Sequence, residues 1–262
     1  MSDKTFTKEG LIQELQKIRG QGWIETTRPL NDGNVGNLLE DLLGIDENNL
    51  PIPNATEWEL KTQRKASNSL LTLFHMEPSP RALKFVPKIL LPHYGWTHQD
   101  AGINYTINEK SFRQTIRAGV YSNRGFSIRV NKAEQKIEVH FDPTKVDLSI
   151  QGDWLTSIRT SGKLELDPAP YWGFNDFFHK LGSKLHNCFY VTAIEKKENG
   201  KNFFKYEDIL MLKDLSLDKT IDALEAGLIY IDFDARTGHN HGTKFRIHPK
   251  NMINLYTTHQ IY

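Results

Sequence analysis

The chain has 262 residues, 38% hydrophobic and 11% aromatic, enough for a globular interior in one large domain or two lobes. No apolar run approaches the roughly 18 residues of a membrane span, MSDKTFTKEG lacks a signal-peptide pattern, and a single cysteine, Cys188, excludes an intramolecular disulfide and a cysteine-rich zinc site. A formal net charge of +1 hides an uneven distribution: residues 1–60 hold five Lys/Arg against eleven Asp/Glu, and residues 110–136 hold seven against one. The expectation is a cytoplasmic protein without a membrane partner. The basic segment, with Arg113, Arg117, Arg124 and Arg129, suits a phosphate-contacting wall, the alternative being a charged hairpin face in water.

In chain order, Thr7 to Arg19 predicts an amphipathic helix capped by Thr7, with Leu11, Ile12, Leu15 and Ile18 at helical spacing and Gly20 and Gly22 as its stop. Asn34 to Leu43 predicts a second helix ended by Gly44, with Val35, Leu38, Leu39 and Leu42 as its apolar stripe. A proline-broken turn, IDENNLPIPN, leads to a strand from near Glu57, and Leu70 to His75 predicts another strand beside it in a mixed sheet flanked by the two helices. Met76 to Asp100 reads as connecting structure. FSIRV and KIEVHF predict a hairpin, PYWGFNDFFHKLGSKL a turn and helix with Trp172, Phe174, Phe177, Phe178 and Leu181 in the core, and CFYVTAIEKK and FFKYEDILML a hairpin about Glu198-Asn199-Gly200. Leu217 to Ala226 predicts a helix ended by Gly227, followed by the strand LIYIDFDAR, the glycine-flanked TGHNHGTK, the strand FRI and a last short helix.

The chemistry concentrates in NNLPIPNATEWELKTQR, Asn48 to Arg64. Strand side chains alternate, so Glu57, Glu59 and Lys61 would share one face. Two acids and an ammonium side by side suit a Mg²⁺ ion, which takes hard oxygen ligands, while the lysine orients or helps deprotonate a water. The bland alternative is a solvated strand face. His239 and His241 stand two apart, but no third ligand with suitable spacing is near, so zinc is not expected, and GNVG lacks the spacing of a nucleotide-binding fingerprint.

GNVGNLLEDLLG, the ELK core, SNSLLTLFHMEPSPR and HNHGTKFRI, in that order, resemble the MvaI/BcnI type of restriction endonuclease, related to the mismatch-repair nicking enzyme MutH within the PD-(D/E)xK nuclease superfamily. The resemblance implies an α/β, restriction-endonuclease-like (MutH-like) mixed sheet flanked by helices, with two lobes forming a DNA-binding cleft. We expect a catalytic lobe over about 1–155 and a DNA-recognition lobe over about 156–262. It further implies a bacterial, monomeric type II enzyme cutting double-stranded DNA at a short, GC-rich, nearly palindromic site with Mg²⁺. A cognate DNA methyltransferase belongs to the same system without direct binding.

By position, the resemblance assigns catalysis to Asn54, Glu59, Lys61 and Glu40, metal binding to Asn54, Glu59 and the Leu60 carbonyl, and DNA binding to His75, His239, His241, Lys244 and Arg246. Guanidinium and imidazole groups can donate to guanine N7 and O6, and Arg246 suits bidentate reading. One departure stands out: the family's catalytic aspartate, five residues before the Glu of E-x-K, is Asn54 here. Either the position carries an inactivating Asp-to-Asn substitution, which we favour, or the natural protein uses Asn54 together with Glu57. A MutH-like strand-nicking repair endonuclease and a catalytically inactive, sequence-specific DNA-binding protein are the rival readings.

Overall fold

The computed structural model describes residues 6–27, 33–45 and 57–262. Helix α1 (Lys8–Gly20) begins where expected, its N-cap Thr7 accepting a hydrogen bond from the Gly10 amide, and Leu11, Ile12, Leu15 and Ile18 form its buried face. Strand β1 (Ile24–Thr26) precedes α2 (Asn34–Leu43), which Gly44 ends in the left-handed conformation at φ 70°. Strands β2 (Glu59–Arg64) and β3 (Leu71–His75) follow. The apolar stretch after Phe85 is helical, first with π geometry over Val86–Leu90 and then as α3 (Leu91–Tyr94), in place of the irregular connection expected. Next come β4 (Trp96–Thr97), β5 (Lys110–Ile116), β6 (Arg124–Asn131) and β7 (Lys136–Val146). Helix α4 (Leu148–Thr160), which the sequence reading did not anticipate, is capped by the Asp147 carboxylate. The chain continues through β8 (Tyr171–Gly173), α5 (Phe174–Leu185), β9 (Cys188–Glu198), β10 (Lys201–Leu215), α6 (Leu217–Glu225), β11 (Ile229–Arg236), β12 (His239–Asn240), β13 (Lys244–Ile247) and β14 (Tyr256–Ile261).

Two compact units result, each built from separated stretches of chain instead of the contiguous halves expected: residues 1–69, 179–217 and 252–262 form one, residues 70–178 and 218–251 the other. In the first, the strand order is β1-β10-β9-β2, with β14 also paired to β10. The β9–β10 hairpin turns at Asn199 (φ 51°) and Gly200 (φ 77°), the positive pair that a tight two-residue turn demands. Helices α1 and α2 pack on β10 and β2. Leu11, Leu15, Leu39, Phe189 and Phe204 lie at 0–1% exposure in that core, each burial contributing roughly 1.5–3 kcal/mol. β2 is parallel to β9 and is not beside β3, which belongs to the other unit. The expected adjacency of the ELK and LLTLF strands therefore fails: alternation fixes a strand's faces but not its partner.

The second unit holds a sheet ordered β3-β13-β11-β5-β4, with β12 paired to β11, and a smaller sheet β6-β7-β8. Trp172 on β8 is fully buried, donates Nε1–H to the Met76 carbonyl and packs edge-on to Phe245 of β13. The predicted β6–β7 hairpin forms, and a bulge at Gly125 interrupts its ladder. Gly125 sits at φ +72°, where an added Cβ would lie 2.4 Å from the Asp142 carbonyl oxygen. Gly125→Ala should therefore lower unfolding free energy by about 2 kcal/mol or more, whereas Gly152→Ala, at an open helical position, should leave it level or raise it slightly; urea denaturation reads both. Among the described residues, no helix is long and apolar enough to cross a membrane.

Candidate functional site

In the first unit, β2 opens with Glu59, whose amide donates to the Asn187 carbonyl and whose Cα stands opposite Cys188 on β9. Leu60 turns its side chain into the core, so Glu59 and Lys61 share the other face. The Glu59 carboxylate is only 2% exposed; Lys61 Nζ donates to its Oε1 at 2.8 Å, and Lys184 Nζ lies 3.7 Å from the same oxygen. Oε2 is buried with no hydrogen-bond partner among the described residues. Beneath them Cys188 is fully buried, and burial pushes its thiol well above the ordinary range, so it is a structural thiol and no nucleophile. At the far end of β2, Arg64 pairs with Glu195 and donates to the Asn34 side chain on α2.

A buried acceptor without a donor is costly, and a hard cation is one group that would satisfy Glu59 Oε2. The donor chemistry thus fits a divalent metal, with Glu59 and the adjoining Leu60 carbonyl as oxygen donors. Among the described residues, no group of three His, Cys, Asp or Glu side chains could hold an ion. Asn54, assigned to both catalysis and metal binding, lies outside the described residues. Glu57 is exposed and precedes β2, so it does not share the Glu59–Lys61 face as expected. Glu40 is half-buried on α2, the helix that packs against β2.

Lys184 was missed by sequence reasoning. It lies in the last turn of α5, four residues before Cys188, and becomes visible only once β9 is known to lie beside β2.

In the second unit, four of the five residues expected to contact DNA lie on strands of one sheet, and His241 follows β12. Lys244 stands opposite the exposed His75 across the β13–β3 ladder. Lys244 and Arg246, two apart on β13, share a face with Asp234 and Asp232 of β11, their ion pairs both measuring 3.3 Å. Arg246 also donates to the Leu70 carbonyl at 2.7 Å. Burial works to raise Asp234, but Arg113 and Lys244 outweigh it and hold its carboxyl below the usual range. His239 and His241 are exposed, their rings in edge contact with centroids 4.2 Å apart.

Three of the four arginines of the basic segment are engaged within the protein itself. Arg113 is paired with Asp234, Arg117 stacks on Tyr230 and donates to its hydroxyl, and Arg124 stacks on Trp96; of the four arginines, Arg129 is exposed on the β6–β7 hairpin. Composition counted these charges without showing that acids and aromatic rings from distant stretches engage three of them.

A search of curated protein sequences returns no match. Among solved structures, a restriction endonuclease MvaI–cognate DNA substrate complex is similar at TM-score 0.75 and 25% identity, covering 98% of this chain and 99% of that one. MvaI in the absence of DNA matches at TM-score 0.55 and 24% identity over the same shares, which supports the fold alone. The profile of the MvaI/BcnI restriction endonuclease family matches residues 12–256. With a match over nearly its whole length, the chain belongs to the MvaI/BcnI restriction endonuclease family.

Proposed function

We propose that this nuclease is a type II restriction endonuclease that hydrolyses phosphodiester bonds in double-stranded DNA at a short, GC-rich, nearly palindromic site, in a Mg²⁺-dependent reaction and as a monomer. The observation that carries the reading is the buried Glu59 carboxylate, one oxygen held by Lys61 and the other without a donor among the described residues. Glu59, the Leu60 carbonyl and the residue at position 54 would hold the ion. When bound, it supplies positive charge at the scissile phosphate.

The lysines do the remaining work. Lys61 spends one N–H on Glu59 Oε1 and keeps two for a water or a phosphate oxygen, so it positions the attacking water. Lys184 places a second ammonium beside the same carboxylate, which makes this trio net positive and draws in a phosphodiester. The first unit is thus the catalytic part and the second the recognition part, with His75, His239, His241, Lys244 and Arg246 reading base edges. Asp232 and Asp234 brace Arg246 and Lys244 before DNA arrives. A protective methyltransferase acts on the same site without touching this chain.

Plasmid digestion with Mg²⁺ or with EDTA, followed by mapping of the ends, tests the proposal. Fixed ends that need Mg²⁺, lost in Arg246→Ala, are expected; scattered ends or cutting in EDTA refute it. A nicked circle as the final product selects the MutH-like reading. The neutral amide of Asn54 specifically favours a second reading, a sequence-specific binder without cleavage.

A further inference from the structure

The second unit contains a cavity of about 620 Å³, within the range of small-molecule sites, that none of the residues assigned above lines. Trp96 and Trp154 contribute indole rings; Thr97, Glu109, Asp153 and Ser157 add polar groups. The rings are fixed before any ligand arrives: Trp154 Nε1 donates to the Tyr94 carbonyl at 3.2 Å, and the Arg124 guanidinium lies 3.7 Å from the centroid of Trp96 and 5.7 Å from that of Trp154. Glu109 is 5% exposed, and its Oε1 accepts from Arg236 at 3.1 Å.

Three features narrow the ligand. Two indoles lining one small cavity suit a flat aromatic molecule. Of the two lining carboxylates Glu109 is already paired with Arg236, whereas Asp153 is an exposed acceptor for a ligand N–H. Arg124 already occupies the cation-binding quadrupole of Trp96, and burial lowers it only to about 10, so it stays charged at neutral pH and repels a second cation. Together these features suit a flat, neutral heterocycle with an N–H donor for a lining carboxylate.

We propose that this cavity binds a neutral, amino-bearing nucleobase, stacked on the indoles with its exocyclic amino group donating to Asp153 or Glu109. The base comes either from a free nucleoside or from DNA in which it is unstacked; only the second source rests on the DNA-cutting reading. Titration of the intact chain, read by tryptophan fluorescence, uses cytidine, adenosine, thymidine and, as a flat anion, benzoate. Cytidine and adenosine are expected to bind saturably with a dissociation constant on the order of a millimolar or tighter, and thymidine and benzoate at least about fivefold more weakly. Asp153→Asn should weaken cytidine about threefold to tenfold, and Ser157→Phe, which fills the cavity from an exposed helix position, should abolish binding. A second arm follows a duplex carrying one unopposed 2-aminopurine. A signal there that Ser157→Phe removes, without nucleoside binding, supports the proposal with DNA as the source. Thr97→Phe provides an independent block should Ser157→Phe not fold. Absence of binding in both arms, binding that survives both blocks, or benzoate binding as tightly as cytidine overturns it. Cleavage is never the readout, so failure of the nuclease reading would leave this result standing.

Discussion

The Asn54→Asp variant is expected to cut DNA about 10²- to 10³-fold faster than the Asn54 protein in Mg²⁺, with little change in sequence-specific binding. The argument is one of charge. The buried Glu59 carboxylate lies within ion-pair distance of two ammonium groups, Lys61 at 2.8 Å and Lys184 at 3.7 Å. A divalent cation brought to that net-positive trio is repelled, and an amide at position 54 adds an oxygen donor without adding negative charge. With position 54 as the proposed further ligand, a carboxylate there would bring the formal charge of the site to zero. Single-turnover cleavage over a Mg²⁺ titration checks this: the variant should need less Mg²⁺ as well as cut faster. An unchanged rate would mean that Asn54 is no defect and that the protein is a binder or uses other ligands.

In the Asn54→Asp background, Glu59→Gln should lower the cleavage rate by about 10³-fold or more. The substitution preserves shape but removes the anion that Lys61 and Lys184 face, with their side chains 15% and 24% exposed. Breaking such a buried arrangement also costs stability, about 3 kcal/mol by analogy with other buried pairs, so melting must be followed alongside activity. Duplex binding at the cognate site should persist within a few-fold, because the proposed base readers lie in the other unit. Cleavage at the parent rate in a folded Glu59→Gln protein would remove the carboxylate from the mechanism.

Much of the fold was legible where the signal is local. Thr7 caps α1, Gly44 ends α2, and Asn199-Gly200 turns the β9–β10 hairpin, each within a few residues of the structure it dictates. Of the candidate site residues, the pairing of Glu59 with Lys61 followed from strand alternation. What stayed hidden depends on partners far along the chain. The parallel β2–β9 ladder joins Glu59 to Cys188, and only that ladder makes Lys184 a neighbour of the carboxylate. The same holds for β14, a mostly exposed strand with little alternation to announce it, and for Arg124, whose ring partners Trp96 and Trp154 come from β4 and α4. Glu57 was misplaced because the strand begins two residues later than its letters suggest.

The interleaving of the first unit has a consequence for its assembly. Its sheet pairs β2 with β9 and β10 with β14, and Tyr262 ties its amide to the Ile209 carbonyl and its own carbonyl to Arg19. The ladder that seats Glu59 and Lys61 therefore joins residues about 130 positions apart, so this unit forms through distant contacts and should assemble more slowly than a fold built from neighbouring segments.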